Sequence, residues 1–420
     1  LMKIGYACLT VGVPNTDIKT CLLKNASEEK LTELIRHNLK VLENTIDYNI
    51  ENEISLFRIS SSIIPFGSSP VNRLSWWELF DDQLKQIGDK IMRSGMRVSM
   101  HPGQYTVLNA LDEEIVTKAV ADLNYHNCLL DSLGVGPESK IVLHVGGRYD
   151  DKKQAMQRFI RAYDHLSDAI KNRLIIENDD KNFTIGDVLE IANHLEIPVV
   201  FDTLHNQSNP CAENQSDVYW IDESRKTWQQ KDGKQKIHYS QQHPEKKPGS
   251  HSDSIRIEEF MEFYDGLDGR KLDVMLEVKD KNLSAIKCSN CIAQTQKIKA
   301  LEIEWSKYKY AVLERSPLDY LEIRKLLHNK NDYPAIGFYQ IIENALQKEA
   351  TTGNSINVAQ HIWGYFRNSA LPSEKKYFLK LLERYERGEV SIKKVKKNLW
   401  KMAVKYEQKY LLESYYYEMV

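Results

Sequence analysis

Short apolar runs, each bounded by a polar break, recur through the first 300 residues, with longer stretches of three- and four-residue apolar periodicity between them. Eight runs are too short for helices: 3–8, 56–59, 98–100, 141–144, 174–177, 199–202, 236–239 and 274–277. Their largely apolar character predicts strands covered on both faces. In the first intervening segment Leu31, Leu34, Ile35, Leu39 and Leu42 share one helical face, and Ser27 stands where an N-cap belongs. Helices are further predicted over 76–94, ending at Gly95, and over 113–133, ending at Gly134. Others are predicted over 152–171, 185–195 and 257–264, with a last one from 282. Residues 207–234 carry no clear period.

Eight strand–helix repeats predict a parallel sheet closed into a (β/α)8 TIM barrel over residues 1–302. Beyond it the strand signal ends. Helical patterns at 317–328, 336–348, 356–368, 374–387 and 391–416 are separated by Pro317, Pro334, Gly353 and Pro372, which predicts a smaller all-α C-terminal module over 303–420.

In such a barrel, function sits at the C-terminal ends of the strands. Those ends carry Tyr6, Ser60–Ser62, His101, His144, Glu177, Asp202 with His205, His238 and Glu277, and His251 lies in the long loop after the seventh strand. A single strand-end histidine or glutamate is ordinarily a hydrogen-bonded structural group. Five imidazoles and three carboxylates converging on one mouth exceed the needs of one ion, and mixed nitrogen and oxygen donors suit zinc, manganese or iron. Two ions about 4 Å apart clamp the attacking and leaving oxygens of a phosphodiester displacement, so phosphodiester hydrolysis is the reaction class that fits. A turn, Pro102-Gly103, separates His101 from Gln104 and Tyr105. An amide and an aromatic ring on such a turn can enter a duplex and stack where bases are displaced, at a cost of a few kcal/mol that is least at damaged sites. Lys246 and Lys247 in the long loop are candidate phosphate contacts.

Composition narrows the class. The 420 residues are 42% hydrophobic and 28% charged, as in ordinary globular proteins. No run approaches the ~18 apolar residues of a membrane span. Met2-Lys3 leads straight into Ile-Gly-Tyr without a secretory pattern, and the six cysteines are scattered, with a lone C-x-x-C at Cys288–Cys291. A cytoplasmic, nucleoid-associated location is therefore expected. Residues 301–420 hold 20 Lys+Arg against 15 Asp+Glu, whereas residues 1–300 hold 37 against 44. An acidic body suits cations and a basic tail suits a polyanion. In the tail, Lys393, Lys394, Lys396, Lys397, Lys401, Lys405 and Lys409 run along one helical stretch with Trp400 among them.

The segments S-M-H-P-G-Q-Y (99–105), L-H-V-G-G (143–147), I-E-N-D (176–179), V-F-D-T-L-H-N (200–206), K-I-H-Y-S (236–240), K-K-P-G-S-H (246–251) and V-M-L-E-V-K (274–279) closely resemble the UV damage endonuclease family. The resemblance runs from about residue 3 to about 285. It implies an endonuclease IV-like TIM barrel with two to three divalent ions, usually manganese, with zinc or cobalt also tolerated. His101, His144 and Glu177 would hold one ion. Glu177, Asp202, His238 and Glu277 would hold the second, and His205 and His251 the third. Lys236 matches a lysine that can be carboxylated. Glu177, Lys236, His238 and Tyr6, a tyrosine facing the active site, would form the catalytic set. Gln104 and Tyr105 would probe the duplex, and Lys246 and Lys247 would contact DNA. The implied substrate is double-stranded DNA bearing cyclobutane dimers or 6-4 photoproducts. The implied cut lies immediately 5′ to the lesion and leaves a 3′-hydroxyl and a 5′-phosphate. No organic cofactor is implied. Ser62 stands where the family often has histidine, and the asparagine after the first strand has no clean match. Two rival readings are an abasic-site endonuclease of the endonuclease IV type and a metal-dependent sugar isomerase on the same barrel.

Overall fold

A computed structural model describes residues 2–149, 151–211, 215–293 and 298–418. They include eight strands: β1 Ile4–Ala7, β2 Leu56–Ile59, β3 Arg97–Met100, β4 Ile141–His144, β5 Leu174–Glu177, β6 Val199–Val200, β7 Lys236–Tyr239 and β8 Asp273–Leu276. All pair in parallel, in the order β6-β5-β4-β3-β2-β1-β8-β7. The two ends of that series meet. A parallel bridge joins Asp202 to His238, and the His238 N–H donates to the Phe201 carbonyl at 2.9 Å. The fold is the (β/α)8 TIM barrel expected from the alternation of runs.

The sixth strand is shorter than its apolar run. The chain leaves the sheet at Asp202 because that side chain caps the helix Thr203–Ser208, accepting from the His205 N–H at 2.7 Å. Other starts follow the same chemistry. Ser27 accepts from the Lys30 N–H at 3.2 Å to open the helix Glu28–Glu51, and Thr184 and Asp187 form a capping box at Ile185–Leu195.

Alternation fixes what faces the barrel interior. Ala7, Leu56 and Met275 pack together, as do Val142, Ile175 and Val200. Residues two further along each strand then reach the same interior nearer the mouth: Arg58, His144, Glu177, Asp202 and Glu277. At the opposite end Arg97 sits 3.5 Å from Asp273, which also pairs with Lys234 at 3.0 Å.

Tyr6 corrects an expectation. It lies on the opposite face of β1 from Ala7, beside Phe57 at a ring separation of 5.1 Å. Its hydroxyl bonds Asn49 Oδ1 on the helix Glu28–Glu51 and Thr10 Oγ1, each at 2.8 Å. Strand alternation therefore turns it into the helix layer and away from the barrel mouth.

Several predicted helices are divided. The 76–94 pattern forms Trp76–Leu79 and Asp81–Arg93, and the 152–171 pattern forms Lys152–Asp164 and Asp168–Arg173, the latter restarted by a Ser167 cap. Residues 207–234, which lack a clear period, include the helix Asp217–Arg225. The 391–416 pattern ends as the helix Ile392–Lys405, with Glu407 at positive φ just beyond.

The chain forms two compact units: Leu1–Thr10, Asn15–Ile255 and Phe263–Ile286 in one, and Val11–Pro14, Arg256–Glu262 and Lys287–Val420 in the other. A continuous helix, Ile298–Arg315, crosses the expected 302/303 boundary. Its apolar residues Leu301, Trp305, Tyr308 and Val312 share one face, but Ile303 and Tyr310 lie on the opposite one, which blurs the stripe. The second unit is otherwise helical, through Pro317–Leu326, Ala335–Leu346, Thr352–Trp363, Pro372–Glu386 and Ile392–Lys405. Val358, Ile362, Phe366, Phe378, Leu381, Leu399 and Tyr416 lie in one of its apolar clusters.

Candidate metal centre and the turn beside it

Glu177 ends β5 with its side chain fully inside the barrel mouth. Its two oxygens face different groups. Oε2 lies 3.0 Å from His101 Nε2 and 3.8 Å from His144 Nε2, while Oε1 lies 2.8 Å from His238 Nδ1 and 3.6 Å from His205 Nδ1. Two sets of possible ligand atoms result, each with all its atoms within 4.8 Å of one another: His101, His144 and Glu177, and Glu177, Asp202, His238 and Glu277. One carboxylate belongs to both.

The backbone around the cluster is tied down. Asn178 is buried and bridges two strand ends, donating to the Asp202 carbonyl at 3.0 Å and accepting from the Asp202 N–H at 2.8 Å. It thus extends the sheet by one rung where β6 has ended. Gly146 follows His144 at φ +114°, and a Cβ there would lie 2.4 Å from Asn109 Oδ1, so the chain can turn away from the mouth only with glycine. Arg58 points inward from β2 and donates to Glu277 Oε1 at 2.5 Å.

Imidazole tautomers follow from carbonyl partners. His101 Nδ1 lies 3.0 Å from the Pro102 carbonyl and His205 Nδ1 lies 2.9 Å from the Asn178 carbonyl. A carbonyl can only accept, so Nδ1 carries a proton in each ring and Nε2 is the nitrogen left for a cation. His101 Nε2 then meets a carboxylate oxygen at 3.0 Å, a contact that only a proton or a cation between them makes attractive.

Within the cluster, His144 Nδ1, Asp202 Oδ2 and His238 Nε2 are buried without a hydrogen-bond partner among the described residues. Orphaned donors or acceptors at full burial each cost about 1–3 kcal/mol unless something else satisfies them. Asp202 is instructive, because its Oδ1 caps a helix while its Oδ2 is left for the cluster. The donor set and its orphans fit divalent metal ions.

Electrostatics reinforce this. Burial lowers His144 to about 4, keeping the imidazole neutral and able to ligate. Burial raises Asp202 to about 7, with Glu177 and Glu277 adding to the effect. For Glu177, burial alone would favour the neutral acid, but His238, His144 and the bonds from His101 and His238 hold it well below the usual carboxylate range. Burial is likewise outweighed at Glu277 by Arg58 and His238. At His205, Asp202, Glu177 and Glu277 overcome burial and push the ring up to about 9. An excess of negative charge surrounds these rings, as a cation site requires.

Lys236 is buried at the start of β7. Burial, then Arg97 and Arg58, hold its amine well below its ordinary value. His205 and His251 line the cluster without entering either set of possible ligands among the described residues. His251 Nε2 is 3.7 Å from Glu277 Oε2. The turn after His101 exposes Gln104 and leaves Tyr105 74% exposed. Lys246 and Lys247 are exposed in their loop.

Arg58 and Asn178 escaped the sequence reading. A lone arginine inside the apolar run Leu56-Phe57-Arg58-Ile59 was the available signal for the first. His126 also escaped it. It lies buried behind the turn, its Nε2 2.8 Å from Ser61 Oγ, and that hydroxyl lies 2.9 Å from the His101 carbonyl.

Known proteins place this arrangement in context. The family described as UV-endonuclease UvdE matches residues 2–309, and a family described as a protein of unknown function (DUF1722) matches residues 309–419. A UV DNA damage endonuclease of Clostridium perfringens is 40% identical over 408 residues, 95% of this chain and 97% of that protein. One of Bacillus cereus is 32% identical over 289 residues, 68% of this chain and 90% of that protein. Among solved structures, the crystal structure of SacUVDE aligns with a TM-score of 0.66 at 38% identity, covering 70% of this chain and 98% of that one.

Proposed function

The chain belongs to the UV-endonuclease UvdE family, and from that premise we propose that it cuts duplex DNA immediately 5′ to ultraviolet photoproducts, leaving a 3′-hydroxyl and a 5′-phosphate. It is a DNA endonuclease of UV-damage repair. Cyclobutane dimers and 6-4 photoproducts are the lesions we assign to it.

One observation carries the reading: the Glu177 carboxylate turns one oxygen to His101 and His144 and the other to His238. His101, His144 and Glu177 would hold one cation, Glu177, Asp202, His238 and Glu277 a second, and His205 and His251 would contribute to a third. Manganese is the expected ion, and zinc or cobalt suits the same donors. Such ions would neutralise charge on the scissile phosphate and acidify an attacking water.

The remaining roles belong to the chain. The Pro102 carbonyl holds the His101 ring by Nδ1 and keeps Nε2 aimed at Glu177. Arg58 fixes the orientation of Glu277. Lys236, with its amine driven toward neutrality, is in the form that adds carbon dioxide, and a carbamate there would supply one more carboxylate to the barrel floor. Gln104 and Tyr105 enter the duplex and fill the space of the extruded bases. Lys246 and Lys247 meet the sugar-phosphate backbone. The DNA substrate and the six free cysteines suit a cytoplasmic enzyme, and no helix among the described residues is long and apolar enough to cross a membrane.

Incision of three otherwise identical duplexes, carrying one photodimer, one abasic site or no damage, tests the proposal in the presence of manganese. A 5′ nick at the photodimer is expected. Cutting restricted to the abasic duplex would replace this reading with the endonuclease IV type.

A further inference from the structure

The helix Ile392–Lys405 in the second unit divides its lysines by use. Lys396 is buried, bonded to Glu314 at 2.8 Å and seated over the Tyr416 ring at 4.2 Å. Lys405 pairs with Glu374 at 2.6 Å, and Lys409, beyond the helix, lies 3.9 Å from Glu413. Lys393, Lys394, Lys397 and Lys401 are exposed and have no ion-pair partner among the described residues. Elsewhere in this unit exposed cations do find carboxylates, as Lys330 does with Glu302 and Arg384 with Glu389.

The four share one side of the helix, opposite Val395, Leu399, Met402 and Ala403, which are buried. Successive turns present them about 6 Å apart. Two of them stand in the first turn, which holds no acidic residue and whose Ser391 makes no side-chain cap. Positive charge at a helix N-terminus opposes the macrodipole, so this placement lowers helix stability and concentrates positive potential. Beside the lysines is an aromatic surface. Trp400 packs edge-on to Tyr417 at 5.1 Å, and both line a cleft of about 330 Å³ with Lys393, Lys396, Lys397 and Glu418.

We propose that this face, formed by Lys393, Lys394, Lys397 and Lys401 beside Trp400, is a second, sequence-independent binding surface for the phosphate backbone of duplex DNA. The choice of duplex DNA as occupant rests on the reading of the barrel as a DNA endonuclease. Because the face is joined in one chain to that barrel, duplex bound on it would have a raised effective concentration for the barrel.

The test uses the full chain and an undamaged 30-base-pair duplex, with binding followed by fluorescence anisotropy between 50 and 200 mM salt. Replacing all four lysines by glutamine is expected to flatten the slope of log K against log salt by about 3–4, roughly 0.9 for each phosphate that the variant no longer neutralises. Affinity at 50 mM salt should fall at least tenfold, and the four-arginine variant should bind as the unaltered protein does. An unchanged slope overturns the proposal, as does a slope change seen with single-stranded RNA or anionic vesicles but not with the duplex. Incision of irradiated duplex by the unaltered protein is measured alongside. Loss of incision in the unaltered protein, with the slope difference intact, would sink the nuclease reading and leave this one standing. Normal incision with an unchanged slope would sink this one alone.

Discussion

Asp202 and His238 form the bridge that joins β7 to the chain leaving β6, and both side chains enter the same cluster of possible metal ligands. Barrel closure and the proposed ion site therefore share a residue pair.

If the cluster holds ions as proposed, that sharing predicts metal-dependent stability. Manganese at a hundredfold excess over its dissociation constant should stabilise chelator-treated protein by about 2.7 kcal/mol per independent site. Asp202→Asn keeps an oxygen for the His205 N–H but replaces the orphaned oxygen with an amide. Because burial already raises the Asp202 carboxyl to about 7, the metal-free variant should be at least as stable as the metal-free parent. Its gain on adding manganese should shrink. Denaturant unfolding with and without manganese checks both outcomes.

Tyr6→Phe separates structure from chemistry. The hydroxyl bonds Asn49 and Thr10 in the helix layer, so its loss should cost about 1–3 kcal/mol of stability by leaving Asn49 Oδ1 short of a donor. The single-turnover incision rate should stay within about twofold, since a residue that does not touch substrate supplies no transition-state stabilisation. A large rate loss with unchanged stability would return Tyr6 to the active site.

Tyr105→Ala should leave folding intact, because the ring is 74% exposed. Stacking on a base is worth about 1–3 kcal/mol, so preference for the damaged over the undamaged duplex should fall on the order of tenfold. Competitive binding of the two duplexes measures this.

His126 should make stability fall in mild acid. Burial lowers its folded pKa below the ordinary value of 6.5, with Asp122 only partly offsetting the effect. The unfolded chain therefore binds the proton first, and stability rises with pH across that interval. The contribution is fully present above 6.5 and is lost as pH falls from 6.5 through the folded value. His126→Gln should flatten this part of the stability–pH curve, and unfolding titrations between about pH 7 and pH 5 compare the two slopes.

The barrel and its cluster were legible because strand alternation is strict. Once an apolar run ends in His144, Glu177 or Asp202, the residues two before it must face the same interior. The same rule, applied to β1, would have turned Tyr6 outward, since Ala7 and Tyr6 cannot both face the mouth. Its place near the end of the first apolar run, and then the family resemblance, put Tyr6 there instead. Asn178 was illegible because its role, spanning the gap after a two-residue β6, exists only once the helix cap on Asp202 has ended that strand. The helix Ile298–Arg315 was missed because Ile303 and Tyr310 lie opposite its stripe of Leu301, Trp305, Tyr308 and Val312 and blur the period. Lys396 looked like its neighbours until packing drew it to Glu314.

The proposed multi-ion centre is bridged by Glu177 and would cut beside a photodimer. The most direct test combines metal analysis with single-turnover incision of one defined photodimer duplex, using the unaltered protein and Glu177→Gln. At least two ions per chain and a specific 5′ nick are predicted for the former. Fewer ions, no incision and retained duplex binding are predicted for the latter. Retained incision by Glu177→Gln, or a single ion per chain in the active parent, would contradict it.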